Sequence, residues 1–181
     1  MYDDAIADVL ISEKEIQAKI EEMAAQISAD YEGREIRMVG VLKGAFMVIS
    51  DLARALQTPL SIDFMSVASY GSGTSTSGVV RILKDLDGDI AGQHVLVVED
   101  VIDSGLTLNW LLRNLRSRQP ASIEVAALLR KPAAALVEVP VKYVGFDLDN
   151  IFVVGYGLDY AERYRNLPFI GTLKPEFVKT K

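Results

Sequence analysis

The sequence predicts an α/β fold: one domain over residues 1–181, with a central, mostly parallel, twisted sheet flanked by helices. Three observations carry this. Short runs rich in Val and Ile, of strand length, alternate with segments of helical period. Several of those runs are apolar throughout, as expected of strands covered on both faces. A length of 181 residues suits one domain that buries its core without disulfides or structural metals.

The elements follow in order along the chain. Ser12 and Glu15 form a capping-box pattern. Ile16, Ile20, Met23 and Ile27 then share one face, which predicts a helix over 12–28. After a turn at Glu32–Arg34, Ile36–Leu42 reads as a strand and Gly44–Leu56 as a helix stopped by Thr58-Pro59. Leu60–Ala68 reads as a strand. Ser69–Gly78, made largely of Gly, Ser and Thr, reads as a mobile loop. Val79–Leu83 resumes the strand pattern, and Asp85–Gly92 is a turn region. Val95–Glu99 is a short strand ending in acid. Gly105–Arg116 is helical, with Leu108, Leu111, Leu112 and Leu115 on one face. Ile123–Leu129, Tyr143–Phe146 and Ile151–Val154 complete the predicted strands. Ligands of such sheets bind beyond the carboxyl ends of the strands, so the chemistry is sought there.

Composition narrows the function classes. The chain is 50% hydrophobic with six prolines, a globular balance. It has no cysteine, which excludes disulfides and thiolate metal sites. A formal net charge of −6 disfavours non-specific nucleic-acid binding. No apolar run reaches the roughly 20 residues that span a bilayer, and Met1-Tyr2-Asp3-Asp4 lacks the basic start of a signal peptide. A cytoplasmic location without membrane partners is expected. His94 is the only histidine, so a histidine zinc cluster or a Ser–His triad has no context. Asp85–Asp89 has the acids of a calcium loop, but its glycine is misplaced and Leu96 stands at the twelfth position. Gly71-Ser72-Gly73 has no framing strand and helix. Trp110 reads as helix packing.

The segment Val95 to Thr107 carries the most information. An apolar strand ends in Glu99-Asp100, and a loop of Asp103, Ser104, Gly105, Leu106 and Thr107 leads into a helix. Backbone N–H groups in such a loop and first helical turn can bind an anion. Gly105 permits close backbone approach. The Ser104 and Thr107 hydroxyls add donors, and Glu99 and Asp100 can accept from ribose hydroxyls or hold a metal. A carboxylate beside a phosphate would repel it, so Asp103 must face something else. An acidic turn before a helix, with Asp103 or Ser104 as the N-cap, would account for Asp-Ser-Gly-x-Thr alone, though less readily for the whole string.

That string resembles the phosphoribosyl pyrophosphate signature of the type I phosphoribosyltransferases. In the form Val98-Glu99-Asp100-Val101-Ile102-Asp103-Ser104-Gly105 it is similar to the bacterial-type hypoxanthine–guanine branch. Other segments resemble the same branch in the same order. Val41-Leu42-Lys43-Gly44-Ala45 is similar to its pyrophosphate loop, which implies a cis Leu42–Lys43 peptide; alone it reads as a strand-to-helix turn. Ser69-Tyr70-Gly71 resembles the start of the mobile catalytic loop, though composition fits a hairpin tip as well. Leu128-Leu129-Arg130-Lys131-Pro132 resembles the segment whose lysine, here Lys131, donates to the purine O6. Arg130 departs from the acid common in bacterial relatives, and a lone Lys131 would read as a solvated strand end. Ile151 to Tyr160 resembles the purine segment. There Phe152 would stack on the base, Val153 would hydrogen-bond its edge and Asp159 would hold magnesium, while Arg165 would bind pyrophosphate. Taken singly, Phe152 reads as a core aromatic and Asp159 as a turn residue.

The resemblance covers roughly residues 36–175. It implies a small hood built from the N- and C-terminal segments and a homodimer or homotetramer. It implies transfer of a phosphoribosyl group from phosphoribosyl pyrophosphate to N9 of hypoxanthine or guanine, giving IMP or GMP. Asp103 would be the general base, and Mg2+ would be held by Glu99, Asp100 and Asp159. A phosphoribosyl pyrophosphate sensor without catalysis is the competing class. It would require a basic face or an added DNA-binding domain, which this acidic chain lacks.

Overall fold

The computed structural model describes residues 4–70 and 79–178. Chain order is β1 (Ile6–Ile11), α1 (Glu13–Asp30), β2 (Ile36–Leu42), α2 (Phe46–Ala55), β3 (Leu60–Tyr70), β4 (Val79–Lys84), β5 (His94–Ile102), α3 (Leu106–Arg116), β6 (Ser122–Arg130), β7 (Tyr143–Asp147) and β8 (Ile170–Leu173). Six strands form one sheet in the order β4-β3-β2-β5-β6-β7. All its neighbours are parallel except β3–β4. No helix among the described residues is long and apolar enough to cross a membrane.

Local signals explain most elements. Helix α1 starts where Ser12 Oγ accepts from the Glu15 N–H and Glu15 accepts from the Ser12 N–H, closing the capping box. Its buried stripe, Ile16, Ile20, Met23, Ala24 and Ile27, packs on one sheet face together with Val48, Ile49 and Leu52 of α2. Helix α3 packs Leu108, Leu111, Leu112 and Leu115 on the other face, against Val39, Val95, Val97 and Val125. Side chains alternate across a strand. Val95 and Val97 therefore face α3, while Leu96 and Val98 face α1 and α2.

Three expectations change. Strand β5 runs on to Ile102 instead of stopping at Glu99, because the ladder with β6 continues through Glu99↔Ala127 to Ile102↔Arg130. The two acids thus sit within the strand, on opposite faces. Ile151–Val154 is not a strand: Val154 makes one isolated bridge with Gly171, and Val153 and Val154 are buried without a continuing ladder. Ser69 and Tyr70 continue the β3 backbone opposite Val80 and Val79. The rest of the predicted mobile loop, residues 71–78, lies outside the described residues.

The hood is a two-stranded antiparallel sheet, β1 with β8, registered from Ile6↔Leu173 to Ile11↔Ile170. A pair of strands is marginal alone. Ala5, Val154, Tyr164, Leu167 and Leu173 give it a small core, and Ile11 and Ile170 tie it to the main one.

Candidate active site

Between β2 and β5 the strand order reverses: β2 leads by α2 to β3 on one side, and β5 leads by α3 to β6 on the other. The carboxyl ends of β2 and β5 therefore flank the crevice where such sheets bind ligands. Both Lys43 and the 103–107 loop emerge there.

Gly105 ends the loop with φ 79° and is the N-cap residue of α3, with no side-chain cap. Neither Asp103 nor Ser104 caps the helix; Ser104 Oγ only accepts a long 3.4 Å bond from the Leu106 N–H. The Ser104 carbonyl accepts from the Leu136 and Val137 N–H groups, at 3.0 and 3.2 Å, which fixes the loop from behind. A cavity of about 280 Å³ opens beside the helix start, lined by Glu99, Ile102, Asp103, Ser104, Gly105 and Thr107 among others. A second, of about 260 Å³, shares Ile102 and Asp103 with it and adds Lys131. The Lys131 ammonium is buried and stands 3.6 Å from the Asp103 carboxylate, whose side chain is 56% exposed. Arg130 lines the same cavity and is held there by Asp147, which accepts from its Nε and Nη2 at 2.7 and 2.9 Å. A wider groove, about 800 Å³, lies by the amino ends of β2 and β3; it is lined by Glu21 and Glu32 without a cation, unsuited to phosphate.

Glu99 points to the α3 side and is buried. Desolvation, then the charge of Asp100, raises its carboxyl well above the ordinary range. Asp100 points to the α2 side. Burial raises its pKa as well, against the Val101 N–H it accepts from at 2.9 Å and the charge of Arg165. The loop after β2 folds directly over it: a Cβ on Gly44 would land on the Asp100 carboxylate, so only glycine fits there. The Leu42–Lys43 peptide is cis.

The segment after Val154 closes the site's other wall. Phe152 is 55% exposed and meets Tyr160 edge-on at 5.9 Å, while Val153 is buried. Arg165 Nη2 lies 2.8 Å from Asp159, and its Nη1 donates to the Gly157 carbonyl at 2.8 Å. Glu162 accepts from Lys43 at 2.7 Å and lies 3.4 Å from Arg165. Sequence reasoning passed over Glu162. The available signal was an acid lying between Asp159 and Arg165, in a segment already suspected of binding. It also passed over Asp51, which accepts from the Tyr156 hydroxyl at 2.5 Å and from Gln17 at 3.1 Å and so anchors that segment to α1 and α2.

Among the described residues no three acids or histidines form a metal cage. Glu99, Asp100 and Asp159 are hard oxygen donors offered singly. That suits Mg2+, which takes one or two carboxylates and completes its shell with water and substrate phosphates.

A free helix start beside carboxylates, at the switch point of a parallel sheet, is the layout of an α/β protein that handles sugar phosphates. The chain belongs to the phosphoribosyl transferase domain family, whose pattern matches residues 10–161. The hypoxanthine-guanine phosphoribosyltransferase of Mycobacterium tuberculosis (strain CDC 1551 / Oshkosh) is 57% identical, over 97% of this chain and 90% of that protein. Its counterpart in Dictyostelium discoideum is 49% identical, over 95% of this chain and 98% of that protein. A crystal structure of a hypoxanthine phosphoribosyltransferase from Staphylococcus aureus matches with a TM-score of 0.95 at 46% identity, covering 99% of this chain and 97% of that one.

Proposed function

We propose that this chain is a purine salvage enzyme, transferring the 5-phosphoribosyl group of phosphoribosyl pyrophosphate to N9 of hypoxanthine or guanine and releasing pyrophosphate. One observation carries the choice of acceptor: the Asp103 carboxylate and the Lys131 ammonium stand side by side at the 103–107 loop. A 6-oxopurine presents N7 and O6 on one edge, whereas adenine carries an amino donor in place of O6. Lys131 donates to O6, and Asp103 takes or shares the N7 proton as general base. An amino group cannot accept the lysine's bond, so adenine is rejected.

The amides and hydroxyls of Ser104, Gly105, Leu106 and Thr107 hold the 5-phosphate. Glu99 and Asp100 orient the ribose hydroxyls from the two faces of β5. Phe152 stacks on the base and the Val153 backbone reads its edge. Lys43, with Leu42 and Gly44 beside it, and Arg165 bind the pyrophosphate end. Ser69 and Tyr70 stand, in this reading, where the family's catalytic segment begins. Glu99, Asp100 and Asp159 would hold Mg2+, which when bound neutralises charge on the leaving pyrophosphate.

A cytoplasmic location and a homodimer or homotetramer are part of this reading. Apolar side chains exposed on α2, β3 and β4 (Phe46, Ile62 and Leu83) support assembly at that end of the sheet. The test is a spectrophotometric assay with phosphoribosyl pyrophosphate, Mg2+ and each purine in turn. Nucleotide formation from hypoxanthine and guanine but not adenine is expected. Turnover of adenine alone, or of no base, would defeat the assignment.

A further inference from the structure

Lys43 and Arg165, the cations assigned above to pyrophosphate, already share an anion. Glu162 Oε2 lies 2.7 Å from Lys43 Nζ, and its Oε1 lies 3.4 Å from Arg165 Nη2. This acid is built into its place. Its backbone is left-handed at φ 63°, a region other residues than glycine seldom enter. Its N–H donates to Asp159 Oδ2 at 2.9 Å. The turn so fixed projects the carboxylate across the crevice to a lysine 119 residues away in sequence. Both ends of the Lys43–Glu162 pair are about two-thirds exposed, 65% and 64%. Solvent screens such a contact and leaves it weak, so a dissolved anion can exchange into it.

Resting on the pyrophosphate assignment above, we propose that Glu162 is a built-in competitor of the pyrophosphate group. Its carboxylate takes the place of a phosphate oxygen on Lys43 and, beside Asp159, on Arg165, and it must leave both before pyrophosphate can engage them fully. The arrangement keeps affinity for the product moderate. Product release limits the turnover of many enzymes, so a resident anion that retakes the cations favours departure. Glu162 touches no reacting atom in this scheme; it sets affinity.

The test is calorimetric titration of magnesium pyrophosphate into the full chain, as wild type, Glu162→Gln and Glu162→Asn. Glutamine keeps the side chain's size, and asparagine tolerates the left-handed backbone. Both variants should bind pyrophosphate about three- to ten-fold more tightly, the scale expected from removing one like charge at partly screened distances. The gain should shrink as salt rises, because the competing contact is electrostatic and exposed. A purely structural role for Glu162 would loosen binding and leave the salt dependence unaltered. Unchanged or weaker binding in both variants overturns the proposal. Lys43→Ala separates the two levels. If it binds pyrophosphate as wild type does, the pyrophosphate assignment itself is wrong. If it weakens binding while the Glu162 variants fail to tighten it, only the competitor idea is lost.

Discussion

Gly105→Ala strikes the fold and the proposed phosphate loop at one atom. Gly105 holds φ 79°, and a Cβ there would come within 2.6 Å of the Val137 carbonyl oxygen and 3.3 Å of Val139 Cγ2. The left-handed backbone costs a residue with a Cβ about 1–2 kcal/mol. The clash adds about 1–3 kcal/mol of overpacking, because Val137 is itself tied by its N–H to the Ser104 carbonyl and cannot retreat alone. The sum is about 2–5 kcal/mol. For a chain of this size each kcal/mol lowers Tm by about 2–4 °C, so a fall of roughly 4–20 °C is expected by differential scanning calorimetry. The strain is relieved by shifting the loop, so the KM for phosphoribosyl pyrophosphate should rise with it. A variant melting within about 1 °C of wild type, with KM intact, would refute the claim that the loop needs glycine there.

Asp103→Ala should reduce kcat by about 10²–10⁴-fold, the usual contribution of a positioned general base, with a smaller change in donor affinity. Unaltered turnover would remove Asp103 from the chemistry. Lys131→Ala should raise the KM for hypoxanthine roughly 10- to 100-fold, the loss of a hydrogen bond from a charged donor at about 1.5–3 kcal/mol; an unchanged KM contradicts the O6 contact. Asp63 is a stability test away from the site: it is buried and accepts from Arg37 at 2.7 Å and from the Phe64 and Asp87 N–H groups at 2.8 and 3.0 Å. Burial raises its carboxyl pKa, but those donors outweigh burial and leave it below the ordinary aspartate range. A depressed folded pKa means stability that is complete above the unfolded value and is lost as pH falls through the folded one. Asp63→Asn should therefore cost about 2–4 kcal/mol at pH 7, since it leaves the half-buried Arg37 short of its counter-charge, and the penalty should narrow below pH 4. A penalty independent of pH in urea melts would show that charge at Asp63 is not the source.

Signals confined to one turn of helix or one strand were legible. The Ser12–Glu15 box and the leucine stripe of α3 needed only local chemistry, and the structure reproduces both. Features that depend on distant partners were not. Strand β1 has an exposed run from Ala7 to Leu10 with no inward alternation, so its pairing with β8 is written in Ile6↔Leu173 and not in its own pattern. Ile151–Val154 has strand composition, yet its neighbourhood supplies packing partners and a single two-bond bridge, Val154 with Gly171. Glu162 acquires its meaning only when a left-handed turn brings it to Lys43.

The adjacent acids show how much a strand's register decides. Read from sequence, Glu99-Asp100 is one acidic clamp. Strand parity divides it: Glu99 joins the cavity on the α3 side, while Asp100 lies under Gly44 on the other. Each carboxylate is largely removed from water and lacks a cation within salt-bridge distance among the described residues, so each raises its pKa where a paired surface acid would lower it. Burial of this kind is a standing cost that no fold requires at this position; a pair of valines would extend β5 more cheaply. In the proposed enzyme the ribose hydroxyls and a substrate-borne Mg2+ supply the donors and charge that these acids otherwise lack. Their unfavourable solvation then favours donor binding, and a one-residue shift of β5 against β6 would exchange the two roles and abolish it.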